Sequence, residues 1–207
     1  MNVQNLKGAL GCISDIMTEN RDYLVELDSR NGDGDLGISM SSGYQAVREF
    51  VNQNEETDLG KMLRSCSSVF NESAPSSLGT ITAFGMMGMA KALKGKTECT
   101  LAELAEAMDA GIHMIMDKAQ SKPGEKTILD ALYPAVEALK AHAAEDAKAA
   151  FAAAAAAAAE GSESTKQMRS VHGRAAYYGD KSIGMLDGGS VVGKLIFEGI
   201  SNYCRQN

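Results

Sequence analysis

The run AHAAEDAKAAFAAAAAAAA, from Ala141 to Ala159, is the stretch of this sequence that indicates its fold most directly. Alanine has the highest intrinsic helix propensity, so a segment this rich in alanine becomes helical without help from its neighbours. Segments with helical periodicity occur before and after it, and almost no segment alternates with period two. The sequence therefore predicts an all-α protein.

Eight helices are predicted, with short breaks between them. They run near residues 3–26, 39–53, 57–71, 77–94, 100–118, 126–142, 144–169 and 189–204. Short connections between long helices favour antiparallel neighbours, so the simplest architecture is an eight-helix antiparallel up-and-down barrel or bundle. No linker rich in Pro, Gly or Ser divides the chain, and residues 1–207 are predicted to form a single domain.

The composition of the chain argues against several classes of function and location. The net charge is −7, the basic residues are dispersed and Trp is absent, which argues against a nucleic-acid partner. No run of 18 apolar residues occurs, and the N-terminus lacks a basic segment followed by an apolar one. We therefore predict neither a membrane span nor a signal peptide, and a cytoplasmic location. The four cysteines lack metal-ligand spacing and are interpreted as reduced core thiols.

A second stretch, DSRNGDGDLG at residues 28–37, places three carboxylates and three glycines within ten residues. Like charges repel by roughly 4 kcal/mol per pair at ~4 Å and an effective dielectric constant near ~20, so such a cluster typically accompanies a cation. Oxygen ligands without nearby Cys or His favour magnesium or calcium over zinc. The metal ligands predicted here are Asp28, Asp33 and Asp35.

An EF-hand does not fit this stretch. The third position counted from Asp28 is Arg30, and the twelfth counted from Asp33 is Tyr44, where that motif needs acidic or amide ligands. Magnesium, which keeps several waters and binds a few carboxylates together with substrate phosphates, fits better. The alternative is a solvated Asp/Gly turn between two helices.

An up-and-down topology sorts the loops to two ends of the molecule. The connections after the first, third, fifth and seventh helices share one end, and they comprise the aspartate loop and residues 71–77, 121–127 and 173–189. The opposite end holds residues 52–58, 94–100 and 142–146. Every loop with unusual chemistry therefore falls at the same end, which predicts one functional end.

Several residues at this end suit a phosphate group. Gly37 and Ser39 open the second predicted helix, whose N-terminal amides can bind phosphate, although Ser39 can equally be an N-cap. Arg174 can pair with phosphate or form an ordinary surface salt bridge. Lys126 is interpreted as solvated, and no histidine is assigned as a base. Neither a Walker A motif nor a dinucleotide fingerprint is present.

Three motifs together resemble the L subunit of bacterial dihydroxyacetone kinase, a Dak2-type nucleotide-binding domain, over essentially the whole chain. Its Asp-x4-Asp-x-Asp metal triad falls on the three aspartates. Its Pro-Gly-Asp/Glu-Lys-Thr-Met motif matches PGEKTI at residues 123–128, and its Gly-Arg-Ala-Ser-Tyr-Leu-Gly-Glu-Arg-Ser-Ile-Gly motif matches GRAAYYGDKSIG at residues 173–184.

The resemblance implies an eight-helix antiparallel barrel with ADP or ATP at one end and two Mg²⁺ ions on the three aspartates. It implies a kinase subunit that is active only with a separate K subunit carrying dihydroxyacetone, with a phosphotransferase-system M subunit as a further partner if bound ADP is recharged. The implied nucleotide contacts are Leu36, Gly37, Ile38, Ser39, Ser73, Ala74, Ser76, Ser77, Ile128, Arg174, Asp187 and Gly188.

The chain departs from the family pattern at three places. Leu36 stands where the family usually has His, residues 71–75 replace Gly-Gly-x-Ser-Gly, and Gly188 replaces a proline. These changes suggest a divergent branch with another donor arrangement or substrate. Alternative hypotheses are a kinase subunit for a related short ketose such as erythrulose, a nucleotide-dependent module that binds a transcription regulator, and a metal-stabilised helical protein without nucleotide.

Overall fold

Nine α-helices account for most of the chain in the computed structural model, which describes residues 1–207. They are α1 (Val3–Glu19), α2 (Arg21–Asp28), α3 (Leu36–Gln53), α4 (Leu59–Ser73), α5 (Ser77–Ala92), α6 (Leu101–Ala119), α7 (Leu129–Ala141), α8 (Ala147–Ser164) and α9 (Gly188–Gln206). Two 3₁₀ segments, Thr165–Gln167 and Arg174–Ser182, lie between α8 and α9. The only β-type pairing is an isolated bridge between Asn2 and Glu98.

The helices form a closed ring. From α3 onward each helix packs against the next in chain order, and α1 packs against both α3 and α9. The short helix α2 packs mainly against α3. Together, α1 and α2 cover the first predicted helix, residues 3–26. The predicted all-α, eight-helix antiparallel barrel is confirmed. One cluster of 43 buried apolar residues draws on all nine helices, which therefore share a core.

The first predicted helix, residues 3–26, is interrupted at Asn20. This residue has φ −97° and ψ 8°, and its backbone N–H donates to the Ile16 carbonyl oxygen at 3.1 Å. Its side-chain amide donates to the same oxygen at 2.8 Å, so Asn20 closes α1 with its own side chain. Asparagine competes with the helical backbone for such hydrogen bonds, which explains the break.

Other predicted helix bounds also differ from the structure. The helix predicted at 126–142 begins only at Leu129, because Lys126 has φ +61°, in the left-handed region. The helix predicted at 144–169 spans Ala147–Ser164, and the Asp146 side chain caps its start by accepting from the Ala149 N–H at 2.9 Å. The stretch 173–189, predicted without a helix, contains the 3₁₀ segment Arg174–Ser182.

Glycine permits a close approach of α5 and α6. A Cβ added at Gly88 would lie 2.6 Å from the Ala110 carbonyl oxygen, and one added at Gly111 would lie 2.7 Å from the Gly85 carbonyl oxygen. The small residues predicted to serve packing in this part of α5 therefore do so. None of the helices is long and apolar enough to span a membrane.

The barrel encloses a cavity of about 860 Å³ whose lining is mainly apolar. The charged residues that line it, Asp146, Lys148 and Arg205, belong to the end where α7 joins α8. None of the three aspartates of residues 28–37 lines this cavity. The aspartate cluster therefore lies outside the barrel interior.

The loops sort to two ends as the sequence predicts. At the end away from the aspartates, the Asp58 carboxylate accepts from the Gly95 N–H at 3.0 Å, and the Leu59 N–H donates to the Lys96 carbonyl oxygen at 2.7 Å. The amino group of Met1 donates to the Cys99 carbonyl oxygen at 2.5 Å at the same end. These bonds join residues 52–58, residues 94–100 and the N-terminus at the end away from the aspartates.

Candidate functional site

Three aspartates converge where α2 turns into α3. Asp28 ends α2, Asp33 lies in the turn, and Asp35 immediately precedes α3. One carboxylate oxygen from each lies within 4.8 Å of those of the other two, and Asp28 is half-buried while Asp33 and Asp35 are exposed. The turn is shaped around Asp28, whose Oδ2 accepts from the Gly34 N–H at 2.8 Å.

The charges of this cluster favour a bound cation. Desolvation, and after it the carboxylates of Asp33 and Asp28, raise the pKa of Asp35. A divalent cation among the three groups would reverse this effect, because it would place two positive charges among three carboxylates that are opposed here only by the exposed Arg174. Carboxylate oxygens are the ligands that Mg²⁺ and Ca²⁺ prefer, so the donor set fits the predicted magnesium.

Arg174 pairs with one of the aspartates. Its Nη1 lies 2.7 Å from Asp33 Oδ2, and both side chains are largely exposed. Exposed ion pairs contribute little to folding, so this contact is not needed for the stability of the barrel. It does place the loop between α8 and α9 directly against the aspartate loop.

The N-terminus of α3 lies beside the aspartates and lacks a side-chain cap. The helix begins at Leu36, three residues earlier than predicted, and the Asp35 side chain does not cap it. The first amides of a helix have no acceptor within the helix, so those of Leu36, Gly37 and Ile38 remain available. Gly37 also permits close packing, because a Cβ there would lie 2.0 Å from the Arg21 carbonyl oxygen.

Ser39 and Ser76 join two of the predicted loops. Their hydroxyl oxygens are 2.7 Å apart, and Ser76 caps α5 by accepting from the Gly79 N–H at 3.1 Å. Ser73 ends α4 half-buried, and Ser77 is exposed in the first turn of α5. Ala74, between Ser73 and these serines, is fully buried.

The residues predicted to border the base and ribose lie at the start of α9. Asp187 caps this helix by accepting from the Ser190 N–H at 2.6 Å. A Cβ added at Gly188 would lie 2.6 Å from Leu36 Cδ2, so the starts of α9 and α3 touch. Ile128 is 3% exposed, and its backbone N–H lies close to Gly189. The structure thus brings most of the predicted site residues to one end.

Lys126 was interpreted as solvated, and this interpretation was wrong. Its side chain is buried, and Nζ donates to the carbonyl oxygens of Ser182 and Met185, each at 2.6 Å, and of Met168 at 3.2 Å. Nearby, the Asp130 carboxylate accepts from the N–H groups of Gly124 and Thr127. Asp130, three residues after Thr127, was the available signal for this turn, since Asp often accepts from nearby backbone amides.

The titration of Asp187 gives a testable pH dependence. Burial raises the pKa of Asp187 to about 7, and the nearby Asp130 carboxylate adds to this effect. The folded state therefore retains a proton that the unfolded state, with a pKa near ~3.9, has already lost. Stability consequently falls as pH rises from ~4 to ~7, and above ~7 the full destabilisation by the buried charge remains without further change with pH.

Replacing Asp187 by Asn is expected to raise the melting temperature at pH 8 by about 2–4 °C or more, because Asn keeps the cap without the buried charge. The gain should shrink steadily towards pH 4. Differential scanning calorimetry of the nucleotide-free protein across this range measures it. Asp146→Asn, at the exposed cap of α8, is the matched control, and a gain from Asp187→Asn that does not vary with pH would contradict the expectation.

A family model described as the DAK2 domain matches residues 31–202 of this chain. The chain belongs to the DAK2-domain family. The match includes Asp33 and Asp35 together with the loop that carries Arg174, so most of the candidate site lies within the family's own domain.

Individual members of this family align with nearly the whole chain. The ADP-binding subunit DhaL of PEP-dependent dihydroxyacetone kinase 1 from Listeria innocua is 30% identical over 179 residues, which cover 86% of this chain and 85% of that protein. The ADP-binding subunit DhaL of the PEP-dependent enzyme from Escherichia coli is 29% identical over 178 residues, 85% of each chain.

The fold also recurs in a solved enzyme. The dihydroxyacetone kinase from C. freundii, in complex with AMP-PNP and Mg²⁺, superposes with a TM-score of 0.77 at 19% sequence identity. The alignment covers 95% of this chain and 33% of that one. This chain therefore has the fold of about a third of the solved enzyme.

Proposed function

We propose that this chain is the nucleotide-binding subunit of a dihydroxyacetone kinase. It delivers a phosphoryl group from Mg²⁺-bound ATP, or from recharged ADP, to dihydroxyacetone held on a separate K subunit. The observation that carries the proposal is the joining of three carboxylates, an uncapped helix N-terminus and an arginine at one end of the barrel. The names of the L. innocua and E. coli relatives support it.

The three aspartates serve as metal ligands in this proposal, and we assign them two Mg²⁺ ions. When bound, Mg²⁺ neutralises charge on the transferring phosphoryl group. Asp28, fixed by the Gly34 amide, presents its carboxylate from the end of α2, while Asp33 and Asp35 complete the set from the turn. The Mg²⁺ in the C. freundii complex supports the choice of metal.

The phosphates are oriented by the first turn of α3 and the groups around it. The free amides of this turn and the helix dipole attract an anion next to the metal ligands. Ser39 and Ser76 offer two hydroxyl groups 2.7 Å apart, and Arg174 offers a planar guanidinium that suits phosphate. Asp187 and Gly188, at the start of α9, border the base and ribose.

The chain supplies no general base for the acceptor. Its aspartates act as ligands rather than proton carriers, and His172 is held 2.6 Å from the Glu125 carboxylate. Phosphoryl transfer needs mainly positioning and charge neutralisation from the donor subunit. Activation of the ketose hydroxyl therefore falls to the K subunit, without which this chain is inactive.

We further propose that bound ADP is recharged by a phosphotransferase-system M subunit, in a cytosolic enzyme. The PEP-dependent, ADP-binding subunits among the relatives support recharging. The AMP-PNP complex of the C. freundii enzyme is the observation that favours direct use of ATP instead. The alternative substrate is erythrulose or a related short ketose. The reason is that the chain departs from the family pattern at Leu36, residues 71–75 and Gly188.

The test is calorimetric titration of the nucleotide-free chain with ADP and with ATP, each with and without Mg²⁺, followed by turnover with a K subunit and dihydroxyacetone. We expect magnesium-dependent binding and phosphorylation of the ketose. Binding of both nucleotides favours direct use of ATP, and tight binding of ADP alone favours recharging. Nucleotide binding without turnover of dihydroxyacetone or erythrulose favours the regulatory module, and absence of nucleotide binding overturns the proposal.

A further inference from the structure

Lys126 lies at the centre of a cage of backbone oxygens. It follows the Pro123-Gly124 turn between α6 and α7, where its positive φ of +61° directs the backbone away from a helix. Its ammonium group donates to three carbonyls of the segment between α8 and α9, at Met168, Ser182 and Met185. The residue is 3% exposed, so these bonds are made away from water.

The cage uses the whole hydrogen-bonding capacity of the lysine. An ammonium group has three N–H donors and no acceptor, and here it meets three acceptors. No carboxylate forms a salt bridge with it, and burial lowers its pKa, with only the charge of Asp187 opposing that effect. Burying a charged ammonium group costs desolvation energy, which the three carbonyls offset. Lys126 therefore differs from a surface lysine, whose charge only adds to solubility.

The three carbonyls bracket the segment that carries Arg174. Met168 precedes the 3₁₀ segment Arg174–Ser182, and Ser182 and Met185 follow its apex. Two further hydrogen bonds join the two ends of this segment, which we call the base of the loop. They run from the Ser170 N–H to Ser182 Oγ at 2.9 Å and from the Gly184 N–H to the Lys166 carbonyl oxygen at 2.7 Å. Lys126 is the only side chain from another part of the chain that bonds both sides of this base.

We propose that Lys126 is a positioning residue for the nucleotide site, which it serves by clamping the base of the loop that carries Arg174 and leads into Asp187. This inference rests on the proposed function, because it takes Arg174 and Asp187 as nucleotide contacts. Lys126 forms no hydrogen bond or salt bridge with Arg174 or with the three predicted metal ligands. It acts through the backbone at Ser182 and Met185. Without the clamp, the loop loses its fixed geometry, while the metal ligands on α2 and α3 keep theirs.

The test compares Lys126→Met with the parent chain and with Lys122→Met, which changes an exposed lysine of the same turn. Lys126→Met is expected to weaken Mg²⁺-ADP binding by about tenfold or more, because the carbonyls of Met168, Ser182 and Met185 lose their donor. Binding of Mg²⁺ alone and far-UV circular dichroism should not change. Trypsin should cleave after Arg174 and Lys181 faster in Lys126→Met than in the parent.

Chemical rescue separates a specific clamp from general damage. In Lys126→Ala, n-propylammonium replaces the missing atoms of the side chain and should restore most of the nucleotide affinity, whereas tetramethylammonium, which has no N–H donors, should not. If Lys126→Met binds nucleotide and is cleaved by trypsin like the parent, the inference about Lys126 is overturned and the proposed function is not. Absence of nucleotide binding by the parent overturns the proposed function and, with it, this inference. Failure of rescue by n-propylammonium also overturns the clamp.

Discussion

Replacing Asp33 by Ala is expected to abolish magnesium-dependent nucleotide binding and to leave the helical barrel intact. Asp33 is exposed, and it pairs with Arg174, which is also largely exposed, so the core does not depend on it. Loss of one of three carboxylates removes a direct attraction to the metal, which corresponds to about a hundredfold loss of affinity or more. Titration calorimetry with ADP and Mg²⁺ measures the loss, and circular dichroism reports the fold.

The same result is expected for Asp35→Ala, with one difference. Because desolvation and the carboxylates of Asp33 and Asp28 raise the pKa of Asp35, its removal relieves an unfavourable charge, and the metal-free protein should melt slightly higher than the parent. Asp22→Ala is the matched control, since it removes one negative charge from the exposed first turn of α2. Unchanged nucleotide affinity in both Asp33→Ala and Asp35→Ala would contradict the assignment of these aspartates as metal ligands.

The metal cluster could be predicted because its information is local. Three aspartates fall within eight residues that also contain turn-forming glycines, so a local turn brings their carboxylates together without help from distant elements. The same holds for the alanine-rich part of α8, which needs only its own propensity. The convergence of loops at one end required only the count of helices, and the contact of Ser39 with Ser76 and the pair Arg174–Asp33 are consistent with it.

Lys126 shows why other parts of the site could not be predicted. Its three acceptors lie 42, 56 and 59 residues away along the chain, and they are backbone carbonyls, which every sequence offers everywhere. No property of the local sequence distinguishes such a lysine from a solvated one. The early start of α3 is similar, because local signals leave this helix end open by a few residues.

Two of the chain's departures from the family pattern meet in space. Leu36 replaces the usual histidine and Gly188 replaces the usual proline, and a Cβ at position 188 would lie only 2.6 Å from Leu36 Cδ2. Proline carries such a Cβ, so it would require Leu36 to move. These two departures therefore lie against each other where α3 and α9 begin.

Arg174→Ala is expected to change the affinities for nucleotide and for metal in opposite directions. Loss of a charged, planar donor to phosphate should weaken Mg²⁺-ADP binding by about 10- to 100-fold. Mg²⁺ alone should bind about two- to fivefold more tightly, because Asp33 no longer has an exposed ion pair to exchange. Calorimetric titrations with Mg²⁺ alone and with ADP at saturating Mg²⁺ measure the two effects separately.

Arg174→Lys distinguishes charge from shape. Lysine keeps the charge but lacks the planar fork, so it should restore the competition with Mg²⁺ at Asp33 and recover only part of the nucleotide affinity. Arg64→Ala, at an exposed position of α4, is the control and should leave both affinities unchanged. If Arg174→Ala instead lowered both affinities together, Arg174 would act by ordering the aspartate loop rather than by exchanging Asp33 for phosphate. The direction of the metal-only change therefore decides how the arginine works.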